Sequence, residues 1–332
     1  MKALIRAPFD PSVLERLRAS LEVIYDSWMD TRTLLSADDF VERINGQDIP
    51  IVVVEADFLM RDVFEHAGKL GFLGVCRADL NLVDVKAATE AGVLVVNTPA
   101  RNDIAVAELA IGLMLALTRN IPAAHTMVSS GRWIDPTDAY FSMRGTELTG
   151  KTVGIVGLGA VGRQVAKRAA AFDTILLAYD PYMDSEKARS MGVKLTGLDE
   201  LMALSDFVTL HCPAAPDTMG LIDSRRIALM KPASYLVNTA STFVLDGDAV
   251  VVALREKRIA GAAFDVYDTW PVRADSPLLG LDNVILTPHI GGATCETVAR
   301  HSNMIADDID RFLSGERPRN LVNPEVWGGV GQ

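Results

Sequence analysis

The chain has 332 residues, about two domains at the usual size. With 49% hydrophobic and 23% charged residues it has the composition of a folded globular protein rather than a disordered chain. The net charge of −11 argues against a binder of phosphate backbones, which needs a basic face, and leaves room for a local pocket that takes a small anion.

Three widely spaced cysteines, Cys76, Cys212 and Cys295, make neither a disulfide framework nor a Cys-x-x-Cys metal pattern. Met1–Arg6 reads as a strand and lacks the apolar segment of a signal peptide. The stretch Ala105 to Thr118 contains Glu108 and is too short to span a bilayer. The expectation is a soluble, cytoplasmic protein of two domains that needs no metal to hold its core.

Short apolar runs alternate with helical patterns from the start. Lys2–Arg6, Val23–Tyr25, Ile51–Val54, Phe72–Val75 and Val93–Val96 read as buried strands, with helices at Pro11–Ser20, Ala37–Asn45, Met60–Ala67 and Val83–Ala91 between them. A long helix, about Ile104–Val128, and a loop, Ser130–Gly150, precede a second series. Its strands are Thr152–Val156, Ile175–Tyr179, Phe207–Leu210, Tyr235–Asn238, Gly261–Phe264 and Val284–Leu286. A last helix, about Cys295–Leu313, ends before Pro318 and Pro324. Such βα alternation predicts parallel sheets covered on both faces.

The strongest local signal is Gly157-Leu158-Gly159-Ala160-Val161-Gly162, led into by a strand and followed by the helical run Arg163–Ala171. Gly157 permits the tight turn, Gly159 lets backbone approach a pyrophosphate, and Gly162 lets helix and strand pack closely. The amides of Ala160 and Val161 then stand at a helix N-terminus, where phosphate charge is favoured. The next strand ends at Asp180, whose carboxylate can bind both ribose hydroxyls and repels a 2′-phosphate. No Arg or Lys occupies Pro181, Tyr182 or Met183, so NAD is expected over NADP.

Several further stretches carry a resemblance: Val95-Val96-Asn97-Thr98-Pro99, Arg144-Gly145-Thr146-Glu147-Leu148, Leu210-His211-Cys212-Pro213, Leu229-Met230-Lys231-Pro232, Asn238-Thr239-Ala240, Gly261-Ala262-Ala263-Phe264-Asp265-Val266 and Thr287-Pro288-His289-Ile290-Gly291-Gly292. With them the chain resembles the D-isomer-specific 2-hydroxyacid dehydrogenases from about Lys69 to Glu325. The resemblance implies two Rossmann-like, doubly wound parallel-sheet domains with an interdomain cleft. Residues 1–100 plus 290–332 would form a flavodoxin-like substrate-binding domain, and residues 101–289 the NAD-binding domain. It also implies a homodimer joined through the long helix and the loop around Trp133.

Catalysis in that family uses an Arg, an acid/base His and a carboxylate that orients the His. Here the Arg position is Ser241, and the carboxylate position, just before the proline closing the Asp-Val-Phe segment, is Trp270 ahead of Pro271. His289 alone remains. The substrate loop also departs: a Gly-rich stretch is replaced by Arg77-Ala78-Asp79-Leu80-Asn81, so Arg77, Asp79, Asn81, Ser241 and Trp270 are the substrate-pocket candidates. Ser241 cannot supply a bidentate cation, and Trp270 cannot fix a tautomer as a carboxylate does. Poor turnover of simple 2-keto acids follows as an expectation.

For the cofactor, the resemblance places Gly157, Gly159, Ala160, Val161 and Gly162 at the pyrophosphate and Asp180 at the ribose. Pro213 and Thr218 line the site, Thr239, Ala240 and Ser241 approach the nicotinamide through backbone atoms, and Asp265 takes its carboxamide. His289, Gly291 and Gly292 close the pocket.

The sequence leaves three readings open. The first is an NAD-dependent oxidoreductase acting on a CH–OH group of a 2-hydroxyacid-like or other hydroxylated small molecule. In it, Arg77 replaces the lost cation, Asp268 orients His289, or Trp270 forms an aromatic wall or simply packs. The second is an NAD-using enzyme with no net redox change, and the third a non-catalytic NAD(H)-binding sensor. His66, His125, His211 and His301 lack Cys or Glu partners at zinc spacing and read as structural; no metal is expected. Cys212, at an apolar strand end, reads as buried rather than nucleophilic.

Overall fold

The computed structural model describes residues 1–329. They divide into two compact units, Met1–Arg101 with the chain from Thr294 onward, and Asn102–Ala293.

In the first unit, β1 (Lys2–Ile5), β2 (Glu22–Tyr25), β3 (Ile51–Val54), β4 (Phe72–Val75) and β5 (Leu94–Val96) form one parallel sheet, ordered β2-β1-β3-β4-β5. Alternate side chains leave a strand on opposite faces. Ala3, Ile5, Ile51 and Val53 accordingly pack with Val13, Leu17, Ile305 and Ile309, while Leu4, Val52 and Val54 pack with Phe40, Ile44 and Val63. Two covered faces explain the unbroken apolar runs of the inner strands. Val23–Tyr25 departs from its sequence reading: β2 is the edge strand, and these residues are only half-buried there.

Capping side chains set the helix starts. The Asp10 carboxylate accepts from the amides of Ser12 and Val13 ahead of Pro11–Arg18, Ser36 and Asp39 form a capping box for Ala37–Gln47, and Thr294 caps Cys295–Leu313.

The second unit holds β6 (Thr152–Val156), β7 (Ile175–Tyr179), β8 (Lys194–Leu195), β9 (Phe207–Leu210), β10 (Tyr235–Asn238), β11 (Gly261–Phe264) and β12 (Val284–Leu286), all parallel, ordered β12-β11-β10-β9-β6-β7-β8. The chain enters at β6, runs outward through β7 and β8, and returns to β9 on the other side of β6. Between β6 and β9 the strand order therefore reverses, and in such sheets ligands bind at the carboxyl ends of the strands at that point.

The long helix expected over Ile104–Val128 is two helices, Asp103–Thr118 and Ile121–Ser129, bent by 63°. Asn120 takes a left-handed conformation (φ 52°), and Pro122 in the next turn has no amide to continue the ladder. Asp103–Thr118 buries Ala107, Ile111, Met114 and Leu117 against the sheet of its own unit. The loop after it also contains a short helix, Asp138–Ser142. Among the described residues no single helix is long and apolar enough to cross a membrane.

Candidate functional site

The loop after β6 shows why its glycines are glycines. Gly157 has φ +92°, and a Cβ there would lie 2.8 Å from the Cys212 nitrogen and 2.9 Å from the His211 carbonyl carbon. A Cβ on Gly162 would lie 2.1 Å from the Gly157 oxygen. These two residues close the loop onto the end of β9 and onto the helix Ala160–Ala170. Gly159 is different: a Cβ there would meet nothing within 4 Å, so its backbone is open to an approaching group. The helix begins at Ala160, and its first amides have no carbonyl one turn back. Together these features fit a pyrophosphate.

Asp180, at the end of β7, accepts from the Leu158 amide (2.8 Å) and the Tyr182 amide (2.9 Å). A carboxylate has about four acceptor positions, so roughly two remain for ribose hydroxyls. Tyr182 donates its hydroxyl to Asp217 (2.8 Å), which ties the loop after β7 to the loop after β9. Sequence reasoning used Tyr182 only as a position without charge and did not foresee this tie.

On the β9 side the Thr218 hydroxyl meets the Pro213 carbonyl at 2.6 Å and accepts from the Ala215 amide at 2.8 Å, so Pro213 and Thr218 form one closed turn. His211 pairs its Nε2 with the Thr209 hydroxyl (2.9 Å), while Nδ1 is buried without a partner. Burial pushes His211 down to about 3, so its imidazole is neutral at physiological pH. Burial also pushes the Cys212 thiol up to about 11, which keeps it from acting as a thiolate nucleophile.

After β10, Asn238 braces the turn that follows it. Its side chain accepts from the Ala240 amide (3.0 Å) and donates to the Ser241 carbonyl (2.9 Å). Two of the backbone atoms assigned to the nicotinamide side are thus engaged by Asn238, whereas the Thr239 hydroxyl is buried and unpartnered. The Ser241 hydroxyl accepts from the Phe243 amide (3.2 Å) and caps a short 3-10 helix.

Asp265, at the end of β11, is 2% exposed and holds the loop after β12. Its carboxylate accepts from the Thr287 hydroxyl (2.6 Å), the Ile290 amide (2.9 Å) and the Gly291 amide (2.7 Å). Between those donors sits His289, exposed and in the left-handed region (φ 55°), its amide donating to the Thr287 carbonyl (2.9 Å). A Cβ on Gly291 would lie 2.9 Å from the Asp265 Oδ2, and one on Gly292 would lie 3.0 Å from the Asn102 side-chain Nδ2. The rings of His289 and Trp270 stand 4.0 Å apart, edge to face. Thr287 and Tyr267, which complete this arrangement, were missed as site residues. Thr287 opens the Thr-Pro-His-Ile-Gly-Gly stretch, but its partner Asp265 is remote in sequence.

In the first unit, Arg77, Asp79 and Asn81 follow β4 on one loop. Arg77 bonds Asp79 at 3.1 Å, and Asn81 is exposed. A cavity of about 390 Å³ in the second unit lies behind the loop Tyr267–Leu278, lined by Leu245, Phe264, Asp268 and Arg273 among others. None of Ser241, Trp270 or His289 lines it. Among the described residues no group of three or more His, Cys, Asp or Glu side chains is placed to hold a metal.

A seven-stranded parallel sheet with this glycine loop at its switch point defines a Rossmann-type NAD-binding unit. Residues 111–291 match the profile of the D-isomer specific 2-hydroxyacid dehydrogenase, NAD binding domain. The chain is 40% identical over 324 residues to D-3-phosphoglycerate dehydrogenase of Methanocaldococcus jannaschii, covering 97% of this chain and 59% of that protein. It is 38% identical over 293 residues to a glyoxylate reductase of Thermofilum pendens, covering 88% of this chain and 86% of that protein. The apo structure of D-lactate dehydrogenase from Escherichia coli superposes with a TM-score of 0.81 at 28% identity, covering 97% of this chain and all of that one. The chain belongs to the D-isomer-specific 2-hydroxyacid dehydrogenase family. It spans about three fifths of the length of several curated relatives that it matches.

Proposed function

We propose that this chain is an NAD-dependent oxidoreductase acting on the CH–OH group of a 2-hydroxyacid-like or other hydroxylated small molecule. The observation that carries this reading is the pairing, on one sheet, of the glycine loop at the switch point with a loop that Asp265 clamps around His289. Gly157–Gly162 and the first amides of Ala160–Ala170 would hold the pyrophosphate, and Asp180 the ribose. NAD, when bound, supplies the acceptor for the hydride. His289 takes the hydroxyl proton on an imidazole nitrogen, and Asp265 fixes the backbone that presents it.

In this reading Ser241 and Trp270 occupy the positions of the family's cation and carboxylate. Ser241 offers a neutral hydroxyl engaged with Phe243. Deleting a charged donor from a dry site costs several kcal/mol of transition-state stabilisation, of order 10²–10³ in rate. Glyoxylate, pyruvate and 3-phosphohydroxypyruvate are therefore slow substrates in this reading. Arg77, Asp79 and Asn81 remain candidates for substrate selection, and Asp268 is exposed.

The exposed Ile121, Val128, Trp133, Ile134, Tyr140 and Phe141 favour a homodimer through that segment. Three unpaired cysteines favour a reducing compartment such as the cytoplasm. The charge of −11 disfavours nucleic acid and anionic membrane as partners.

The test is a screen of hydroxy acids, sugar acids and polyols for NADH formation, run beside His289→Ala. Turnover lost with NAD affinity nearly intact supports the assignment, and unchanged activity in His289→Ala refutes it.

A further inference from the structure

Trp270 follows β11 and His289 follows β12, yet their rings meet with centroids 4.0 Å apart and planes inclined at 67°. This is the edge-to-face geometry in which the positive rim of one ring meets the negative face of the other. Core packing does not account for it, because Trp270 is 61% exposed. Its orientation is nevertheless fixed: the indole Nε1–H donates to the Tyr267 carbonyl (3.2 Å).

Tyr267 is itself anchored to both loops. Its hydroxyl lies 3.1 Å from the Phe264 carbonyl and 2.9 Å from the Thr287 carbonyl, the same oxygen that accepts the His289 amide. Burial and the neighbouring Asp265 charge raise the Tyr267 phenol above its ordinary range, which keeps it a donor. Backbone and ring of His289 are therefore held separately. Asp265 and Thr287 hold a left-handed backbone that is uncommon for a non-glycine residue. The imidazole is met by an indole held on the Tyr267 carbonyl.

We propose that Trp270 is a positioning residue for His289, its indole setting the direction in which the imidazole presents its nitrogens to the substrate hydroxyl. The proposal rests on the reading of His289 as the proton carrier. A misplacement of about 1 Å at a reacting group can cost on the order of a hundredfold in rate. Removing the ring is therefore expected to lower kcat by about ten- to a hundredfold and to leave NAD affinity unchanged.

The experiment uses the full chain with ¹³C-labelled histidine, comparing wild type, Trp270→Phe and Trp270→Leu, with His289→Gln assigning the His289 signal. In wild type the His289 ring protons are displaced by the indole ring current. Trp270→Phe keeps part of that displacement and most of kcat, whereas Trp270→Leu loses both while its NADH affinity, read by fluorescence titration, is unchanged. An unaltered His289 ring signal in Trp270→Leu overturns the proposal, as does an unaltered kcat. Failure of the proton-carrier reading looks different. His289→Ala would then retain turnover, while the ring signal still decides whether Trp270 orients the imidazole.

Discussion

Asp265→Asn tests whether one carboxylate holds the His289 loop. The substitution keeps shape and volume and replaces one acceptor oxygen by a donor group. The best arrangement keeps the carbonyl oxygen toward Thr287 and Ile290 and turns the amide nitrogen toward Gly291, whose N–H stood 2.7 Å from the lost oxygen. Two hydrogen bonds survive without charge assistance, at a cost of about 1 kcal/mol each. The Gly291 amide, buried and facing another donor, costs a further ~1–3 kcal/mol. The total, about 3–5 kcal/mol, raises the open population of the loop by roughly 10² to several times 10³-fold, since each 1.4 kcal/mol is a decade. Amide hydrogen exchange at Ile290 and Gly291 reads that opening directly, and urea unfolding reads how much of it reaches the whole unit. Loss of protection at both amides, with weaker NADH binding, is the expected result. Intact protection together with a stability change under ~1 kcal/mol would falsify the clamp.

Two glycines of the phosphate loop should separate by phenotype. Gly162→Ala drives a methyl into the Gly157 oxygen and should lower stability by about 1–3 kcal/mol. Gly159→Ala, with open space around it, should leave the unfolding midpoint unchanged and weaken NADH binding at least tenfold; equal melting and equal binding losses in the two variants would contradict that division. NADH should bind more tightly than NADPH, and Asp180→Asn should narrow the gap by about tenfold or more, the scale of removing one charge facing a phosphate. Stability should fall on acidification: His211 is held at about 3 in the fold against an ordinary value of 6.5, so the unfolded chain takes up the proton first. Its contribution is complete above 6.5 and is lost progressively down to about 3, amounting to about 2 kcal/mol at pH 5. His301, also lowered by burial, acts in the same sense, and urea midpoints at pH 7.5 and 5 should shift less in His211→Gln.

The parallel sheets were legible because they rest on local signals. Runs such as Ile51–Val54 are apolar at every position when both faces of a strand are covered, and the glycine spacing from Gly157 to Gly162 encodes a turn that only those residues make. The break at Asn120 was written locally as well, in Pro122, within a stretch that is apolar on either side. Other features have no local signature. Nothing in the sequence marks Arg6 as fully buried, with its guanidinium on the carbonyls of Asp26 and Thr33 and on the Asp57 carboxylate. The Asp265 clamp reaches across 25 residues, and the Trp270–His289 contact exists only because β11 and β12 are neighbours. Motifs told which residues matter together without telling which atoms meet.

That difference bears on which functions tolerate replacement. The proposed nucleotide cradle is mostly backbone, an open glycine and helix amides, joined by one side chain, the Asp180 carboxylate, whose orientation is set by the amides of Leu158 and Tyr182. Replacing side chains at 241 and 270 leaves all of these atoms in place. Proton transfer and substrate grip depend instead on side-chain chemistry, and there Ser241 offers a neutral hydroxyl already engaged with an amide. On the proposed reading, a chain altered in this way is expected to keep the cofactor and to use it on a different substrate. Its substrate should then be one that does not depend on a guanidinium at position 241. Trp270, edge to face with His289 and largely exposed, is placed to meet an apolar or cationic group of such a substrate as well as to hold the imidazole.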